Sequence, residues 1–369
     1  MGAAIAIDAT AGKAHSASQW DLMWAKFKDH KLALASLAVL VLFYSIALLA
    51  PFLAPYDSWQ PSPFAFAPPA RVHFFHGGFF GRPIVYGMKV TSDPQTFDRS
   101  VVADPAKIWP VRFFVRGHEY RWLGLVHSNL HLFGVDAGGQ INLLGTDILG
   151  RDCFSRDIIA TQISVTVGIV GVLITFVLGA LIGGVSGYYG GVVDNLMQRF
   201  LEFVTCVPTI PMWMALGAVI PPYWGDVKVY FSITIILALR SWTGLSRQVR
   251  SKLLQLRDEE YVVAARVAGA SDLRIILTHL LPGFASYLIV SLTLEIPRMI
   301  LGETTLSFFG LGLRPPTVSW GVLLRDAQNL AAISAYPWLM FPAVMVVVCV
   351  LAFNFLGDGL RDAADPYKE

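Results

Sequence analysis

Charge is scarce in this chain. Only 15% of its 369 residues are Asp, Glu, Lys or Arg, 55% are hydrophobic, and the mean hydropathy is +0.56. A soluble globular chain is about 25% charged and about 45–50% apolar, so too little polar surface is present to coat a water-soluble particle. The net charge of +2 provides neither a basic footprint for nucleic acid nor an acidic tail. Cysteine is scarce too. Cys153, Cys206 and Cys349 cannot staple a secreted scaffold, and the last two fall inside apolar runs. There is no G-x-x-x-x-G-K-[ST] loop to cradle a nucleotide, no H-E-x-x-H and no G-x-S-x-G. Five of the eight histidines (His73, His76, His118, His127, His131) share one stretch, but their spacings match no ordinary metal site. No catalytic residue and no metal ligand is therefore expected. The remaining class is an integral membrane protein.

Long apolar runs are what the chain has instead. A membrane helix needs about 20 mostly apolar residues to cross a core of about 30 Å. Six runs qualify: Leu32–Leu53, Ile163–Tyr188, Leu196–Ile220, Val229–Leu245, Gly283–Leu301 and Tyr336–Leu356. The first is too long for a signal-peptide core and lacks a small-residue cleavage site after it, so it reads as an uncleaved anchor. Thirteen Lys and Arg lie on one side: Lys13, Lys26, Lys28, Lys31, Arg199, Arg247, Arg250, Lys252, Arg257, Arg266, Arg274, Arg361 and Lys368. The opposite short loops hold only Lys228, Arg314 and Arg325. The positive-inside rule then places both termini in the cytoplasm.

The chain divides into a tail (1–31), a first span (32–54), an external region (55–160), a five-helix core (161–358) and a C-terminal tail (359–369). The stretch Trp20-Asp-Leu-Met-Trp-Ala-Lys-Phe-Lys28 fits a helix lying in the cytoplasmic interface, or a disordered tail with a few anchors. Residues 55–142 carry many prolines and sixteen aromatics but no spanning run, which predicts a small β-rich subdomain. Val111–Val115 and Glu119–Leu123 around Arg-Gly-His read as one hairpin. His131–Val135 and Gln140–Leu144 around Asp-Ala-Gly-Gly read as another. So aromatic a segment is expected to pack as a cap on its partners.

Gly179, Gly183, Gly187 and Gly191 recur every four residues, a stripe that lets another helix approach closely in lipid. The first three read as packing, and Gly190-Gly191 reads equally as a turn. Arg240, Glu295, Arg298 and Glu303 lie in or beside spans, where ionisable groups are costly and face a bundle interior or a cavity. Glu295 and Arg298 are three apart and can pair. Two readings stand, a buried or path-lining group and residues snorkelling at the outer interface.

The longest cytoplasmic loop, 251–282, reads as two short helices around a break. Leu256–Ala268 has good helix formers and offers a small-residue face of Tyr261, Ala264, Ala265 and Ala268. Gly269 can take the left-handed conformation that ends a helix. Ala270 follows, Ser271 is a natural N-cap, and Asp272 and Arg274 open the next helix. Leu273, Ile276, Leu277 and Leu280 continue at i, i+3, i+4 and i+7. An ordered loop with a small tip suggests docking to a soluble partner; packing only against its own bundle is the alternative.

Glu260-Tyr-Val-Val-Ala-Ala-Arg-Val-Ala-Gly269, continued through Arg274 to His279-Leu-Leu-Pro282, resembles the "EAA" loop of ABC importer permeases. Leu144-Gly-Thr-Asp-Ile-Leu-Gly-Arg-Asp-Cys-Phe-Ser-Arg156, Leu306-Ser-Phe-Phe-Gly-Leu-Gly312 and Trp320-Gly321 are similar to the C-type permeases of dipeptide and oligopeptide importers. Two departures stand out: Gly283 where the family has Asn, and an external region longer than in the standard members.

The resemblance implies an all-α integral membrane fold of six helices, the type I importer permease fold, with a β-containing external insert. It implies a chain in the prokaryotic inner membrane, paired with a homologous B-type permease, two cytoplasmic ATPases that hold ATP and Mg, and an external solute-binding protein. Glu260, Tyr261, Ala264, Ala265, Gly269, Ala270, Ser271 and Arg274 would then form the coupling loop to the ATPase. The chain itself would hold no cofactor and be no enzyme. Peptides are the default substrate, with oligosaccharides or opine-like solutes as alternatives. The rival class is an ion-gradient-driven secondary transporter, which predicts an inverted second half and matching intramembrane carboxylates. A membrane-anchored binding protein built around 55–142 would need neither six spans nor the glycine stripe.

Overall fold

A computed structural model describes residues 19–76, 79–92, 99–122, 124–136, 138–328 and 334–364. Most of the N-terminal tail, with Lys13, and the end of the C-terminal tail, with Lys368, lie outside the described residues.

The chain enters through α1 (Gln19–Asp29) and α2 (Lys31–Leu53). In α1, Phe27 is buried against Ala33 and Ala363 while Trp24 is half exposed and stacks on it, with Lys28 above the indole. An aromatic and basic outer side on an otherwise anchored helix suits an interfacial position. Uncharged after Lys31, α2 runs 23 residues, about 35 Å at the helical rise.

The bundle continues with α3 (Cys153–Tyr189), α4 (Gly191–Cys206), α5 (Thr209–Val219) and α6 (Asp226–Leu256). After the loop that follows α6, α10 (Ala285–Phe308), α11 (Trp320–Asp326) and α12 (Phe341–Ala364) complete it. Among the described residues, five helices are long and apolar enough to cross a membrane, or six if α4 and α5 count as one span. The expected helical membrane fold with a small external β-insert is therefore present.

Its core has two apolar layers within the spans. Leu40, Phe43, Val165, Ile300, Trp320 and Phe353 join α2, α3, α10, α11 and α12. Val172, Ile233, Leu237, Met299 and Leu306 join α3, α6 and α10. Such interdigitation, rather than a water-driven hydrophobic effect, holds helices together in lipid.

Several expectations are corrected. The third run is not one straight span: α4 and α5 meet at 81°. Pro208 has no N–H to continue the helical ladder and forces Val207 into extended backbone at φ −79°, ψ 128°. The second run begins earlier, at Cys153, because Asp152 caps it by accepting from the Ser155 N–H at 2.8 Å.

In the external region β1 (His73–His76), β2 (Phe79–Ser92) and β3 (Arg99–Pro110) form one antiparallel sheet, and β4 (Arg112–Trp122) pairs with β5 (Val126–Gly134). Arg116-Gly117-His118 is not a turn. It lies inside β4 with a register shift, and Gly117 is there because a Cβ would strike the His131 ring at 2.7 Å. The turn falls instead at Gly124-Leu125, with Gly124 at φ +72°. The second expected hairpin is absent, since Gln140–Leu144 is not a strand. Ile141 serves as core, packed with Val85 and Val111. Trp122 donates its indole N–H to the Leu48 carbonyl at 2.8 Å, tying this region to the outer end of α2.

Candidate functional site

The 251–282 loop is built differently from two plain helices. α6 ends at Leu256, three residues intervene, and α7 (Glu260–Val267) follows. It closes in a Schellman motif: Ala270 N–H donates to Ala265 O and Gly269 N–H to Arg266 O, both at 3.0 Å, with Gly269 at φ +82°. Then come α8 (Asp272–Arg274), a π-helical turn over Ile275–Leu280, and α9 (Leu281–Gly283). Ser271 occupies the N-cap position, but its side chain makes no cap hydrogen bond. The wider π turn also changes which residues face inward. Ile275, Ile276 and Leu280 are buried, while Leu273 and Leu277, expected on the same face, are exposed.

Val262, Ile275, Ile276 and Leu280 seat the loop on Tyr188, Val249, Leu253 and Leu288. Its outer side is free: Glu260, Tyr261, Ala264, Ala268 and Gly269 are exposed, Ala265 and Ala270 partly so. Val263 and Val267 are exposed as well, Val267 by 85%. They border a shallow concavity shared with Asp258 and Glu260. The loop is thus seated by apolar contacts on one side and presents small and apolar residues on the other.

One contact not anticipated from the sequence fastens this loop to α3. The Tyr188 and Tyr189 hydroxyls donate to the Asp272 carboxylate at 2.8 and 2.9 Å, and Arg266 lies over the Tyr188 ring. The two hydroxyls hold the Asp272 carboxyl below the usual aspartate range. Two tyrosines just before the Gly190 turn are the sequence signal that marks this site.

The glycine stripe lies against α6. A Cβ on Gly179 would meet Leu245 at 2.9 Å, one on Gly183 the Ser246 carbonyl at 2.4 Å, and one on Gly187 the Arg250 carbonyl at 2.8 Å. Gly191 faces nothing within 4 Å and sits at φ +53° with Gly190 in the turn.

The four ionisable residues separate. Arg240, Glu295 and Arg298 line one cleft of about 370 Å³ between α3, α5, α6 and α10. There Arg298 donates to Glu295 at 3.1 Å. Glu303 is not with them. It is fully buried, accepting from Ser307 at 2.6 Å, Ser319 at 2.7 Å and Ser164 at 3.3 Å. Those serines bring α3, α10 and the start of α11 to one carboxylate.

At the opposite end from the loop, the Leu144–Arg156 motif folds into a buried ion network. Asp147 accepts from the Leu149 and Arg151 backbone N–H groups, from Arg151 Nε at 2.7 Å and from Arg156. Arg156 also reaches Asp326 of α11 at 3.1 Å. Thus one motif caps α3 and pins α11 to it. Among the described residues no cluster of His, Cys, Asp or Glu is arranged to hold a metal.

Two family sequence models match the chain: "binding-protein-dependent transport system inner membrane component" over residues 157–368, and "N-terminal TM domain of oligopeptide transport permease C" over 18–69. The chain is 35% identical to the oligopeptide transport system permease protein OppC of Bacillus subtilis, over 60% of this chain and 70% of that one. It is 41% identical to the OppC of Haemophilus influenzae, over 64% and 70%. It is 29% identical to the dipeptide transport system permease protein DppC of Lactococcus lactis, over 93% and 89%.

Proposed function

Because this chain belongs to the family of binding-protein-dependent transport system inner membrane components, we propose that it is the C-type permease subunit of an ATP-driven importer for peptides. It forms half of the translocation path. A homologous B-type permease supplies the other half, two cytoplasmic ATPases hold ATP and Mg, and an external binding protein delivers the solute. Both termini face the cytoplasm. The names of its relatives, oligopeptide and dipeptide permeases, favour peptides as the solute.

The observation that carries this reading is the α7–Gly269 tip, seated on α6 and α3 by apolar contacts yet bare on its outer side. ATP closes the ATPase pair, the tip moves with its docking groove, and the Asp272–tyrosine contacts pass that movement to α3. Access to the path then alternates.

The test is reconstitution of this chain with its B-type partner, both ATPases and the binding protein in liposomes. ATP-dependent uptake of a labelled tripeptide is expected. Uptake without ATP, driven by an imposed proton or sodium gradient, would establish the secondary-transporter reading instead.

A further inference from the structure

The cleft between α3, α5, α6 and α10 has a chemical character of its own. Buried polar atoms nearly always find hydrogen-bond partners. Here four of them without one, Thr175 Oγ1, Trp213 Nε1, Arg240 Nε and Gln248 Oε1, all belong to residues lining the same cleft. They come from three different helices, α3, α5 and α6. Unpaired groups on residues of one cleft, drawn from separate elements, are costly to leave unsatisfied.

Charge narrows what fits. The cleft is lined by two guanidinium groups and one carboxylate. Glu295 is matched by Arg298, its i+3 neighbour. Arg240 has no acidic partner among the described ion pairs. Its Nη1 donates only to the neutral Thr243 hydroxyl at 3.0 Å, leaving Nε unpaired. A guanidinium without an acidic partner, on the wall of a cleft, is matched to a planar oxyanion. Beside it, Trp213 and Thr175 have protons to donate and Gln248 has a carbonyl to accept one, which suits the amide bonds adjoining such an anion.

We propose that this cleft is a recognition site for the carboxylate end of a passing peptide, with Arg240 as the residue that binds the carboxylate and Trp213, Thr175 and Gln248 as partners of the adjoining amides. This rests on the peptide-importer reading above. The path would then select for a free carboxyl group independently of the binding protein. Arg298 stays with Glu295 and keeps that carboxylate from competing for Arg240.

The assembled importer in proteoliposomes tests it with two probes, tri-alanine and tri-alanine amide. Uptake of each is measured for the wild type, Arg240→Gln and Arg240→Lys, always with the same binding protein. Any preference of the binding protein then cancels when acid-to-amide ratios are compared between variants. Arg240→Gln is expected to lower that ratio roughly tenfold, the scale of one charge-assisted hydrogen bond, and Arg240→Lys to restore part of it. Equal loss for both probes would overturn the proposal and leave the importer reading standing. So would a fall in co-purified B-type permease, because the vacant groups would then belong to a subunit contact. Failure of the wild type to import either probe would instead remove the reading beneath it. Trp213→Phe keeps an aromatic ring, though a smaller one, and removes the donor. It should slow both probes alike without shifting the ratio, and a shifted ratio would mean that the carboxylate sits elsewhere.

Discussion

At Gly269 the backbone has φ +82°, and an added Cβ would meet no atom within 4 Å. Replacement by Val therefore causes no clash inside this chain, only left-handed strain of about 1–2 kcal/mol and a branched side chain on the docking tip. Gly269→Val should reach the membrane near the normal level, co-purify less ATPase and lose ATP-dependent uptake. Wild-type uptake would take the tip out of the coupling role. Glu303 makes the contrasting case. Removing its carboxylate strands three serine hydroxyls, and each buried orphan costs about 1–3 kcal/mol. Thermal unfolding in detergent should show Glu303→Ala well below Glu303→Gln, which keeps shape and polarity; equal losses would mean that the serine contacts do not hold these helices. Gly269 was legible because an Ala-rich helix followed by Gly and a Ser cap admits few backbones. Glu303 was misgrouped with Arg298 because the two are near in sequence. Five residues turn a helix by roughly 500°, so their faces differ by about 140°.

Among the elements, the joint between the loop and α3 should depend on pH. The Asp272 carboxyl is held below the usual range by the two tyrosine hydroxyls, so their contribution is present above the ordinary aspartate pKa and is lost as pH falls through the lowered one. Amide protection across residues 260–283, the exchange rate taken relative to the intrinsic rate at each pH, should fall only under such acid conditions. Asp272→Asn, which removes the charge, should show the faster exchange at neutral pH. Exchange in the variant matching the wild type at neutral pH would mean that the charged contact does not hold the loop. The α3–α6 joint is steric instead. Gly183→Leu places carbon against the Ser246 carbonyl, where even a Cβ would lie at 2.4 Å, and should leave little monodisperse protein on size exclusion. A normal elution profile would show that the helices can part there without loss. The close approach of these helices was visible in the sequence as a period of four. The π turn was not, because hydrophobic period alone does not distinguish one helical winding from another, and the buried set shifted to Ile275, Ile276 and Leu280.

Across the whole molecule, the spans and their order follow from apolar length, a constraint the bilayer enforces directly. What hydropathy did not disclose are features decided by a single backbone position or by distant contacts. Pro208 turns one apolar run into two arms at 81°, and Gly117, packed against His131, lies within an irregular stretch of β4 where a turn was expected. The ion network joining Asp147, Arg151, Arg156 and Asp326 spans 180 residues of sequence, a pairing that no local pattern encodes. α3 links these scales. It is one unbroken helix of 37 residues, about 55 Å long at 1.5 Å per residue. Its C-terminal end carries the tyrosines that hold Asp272, and near its N-terminal end Arg156 grips Asp326 at 3.1 Å. A rod of that length acts as a lever arm: tilting it by about 5° around its inner end swings the outer end through about 5 Å. That sweep exceeds the reach of the Arg156–Asp326 contact. Any stroke of this size must therefore carry α11 along as cargo or unclasp it, which makes the integrity of that ion pair a gauge of how far the lever has travelled.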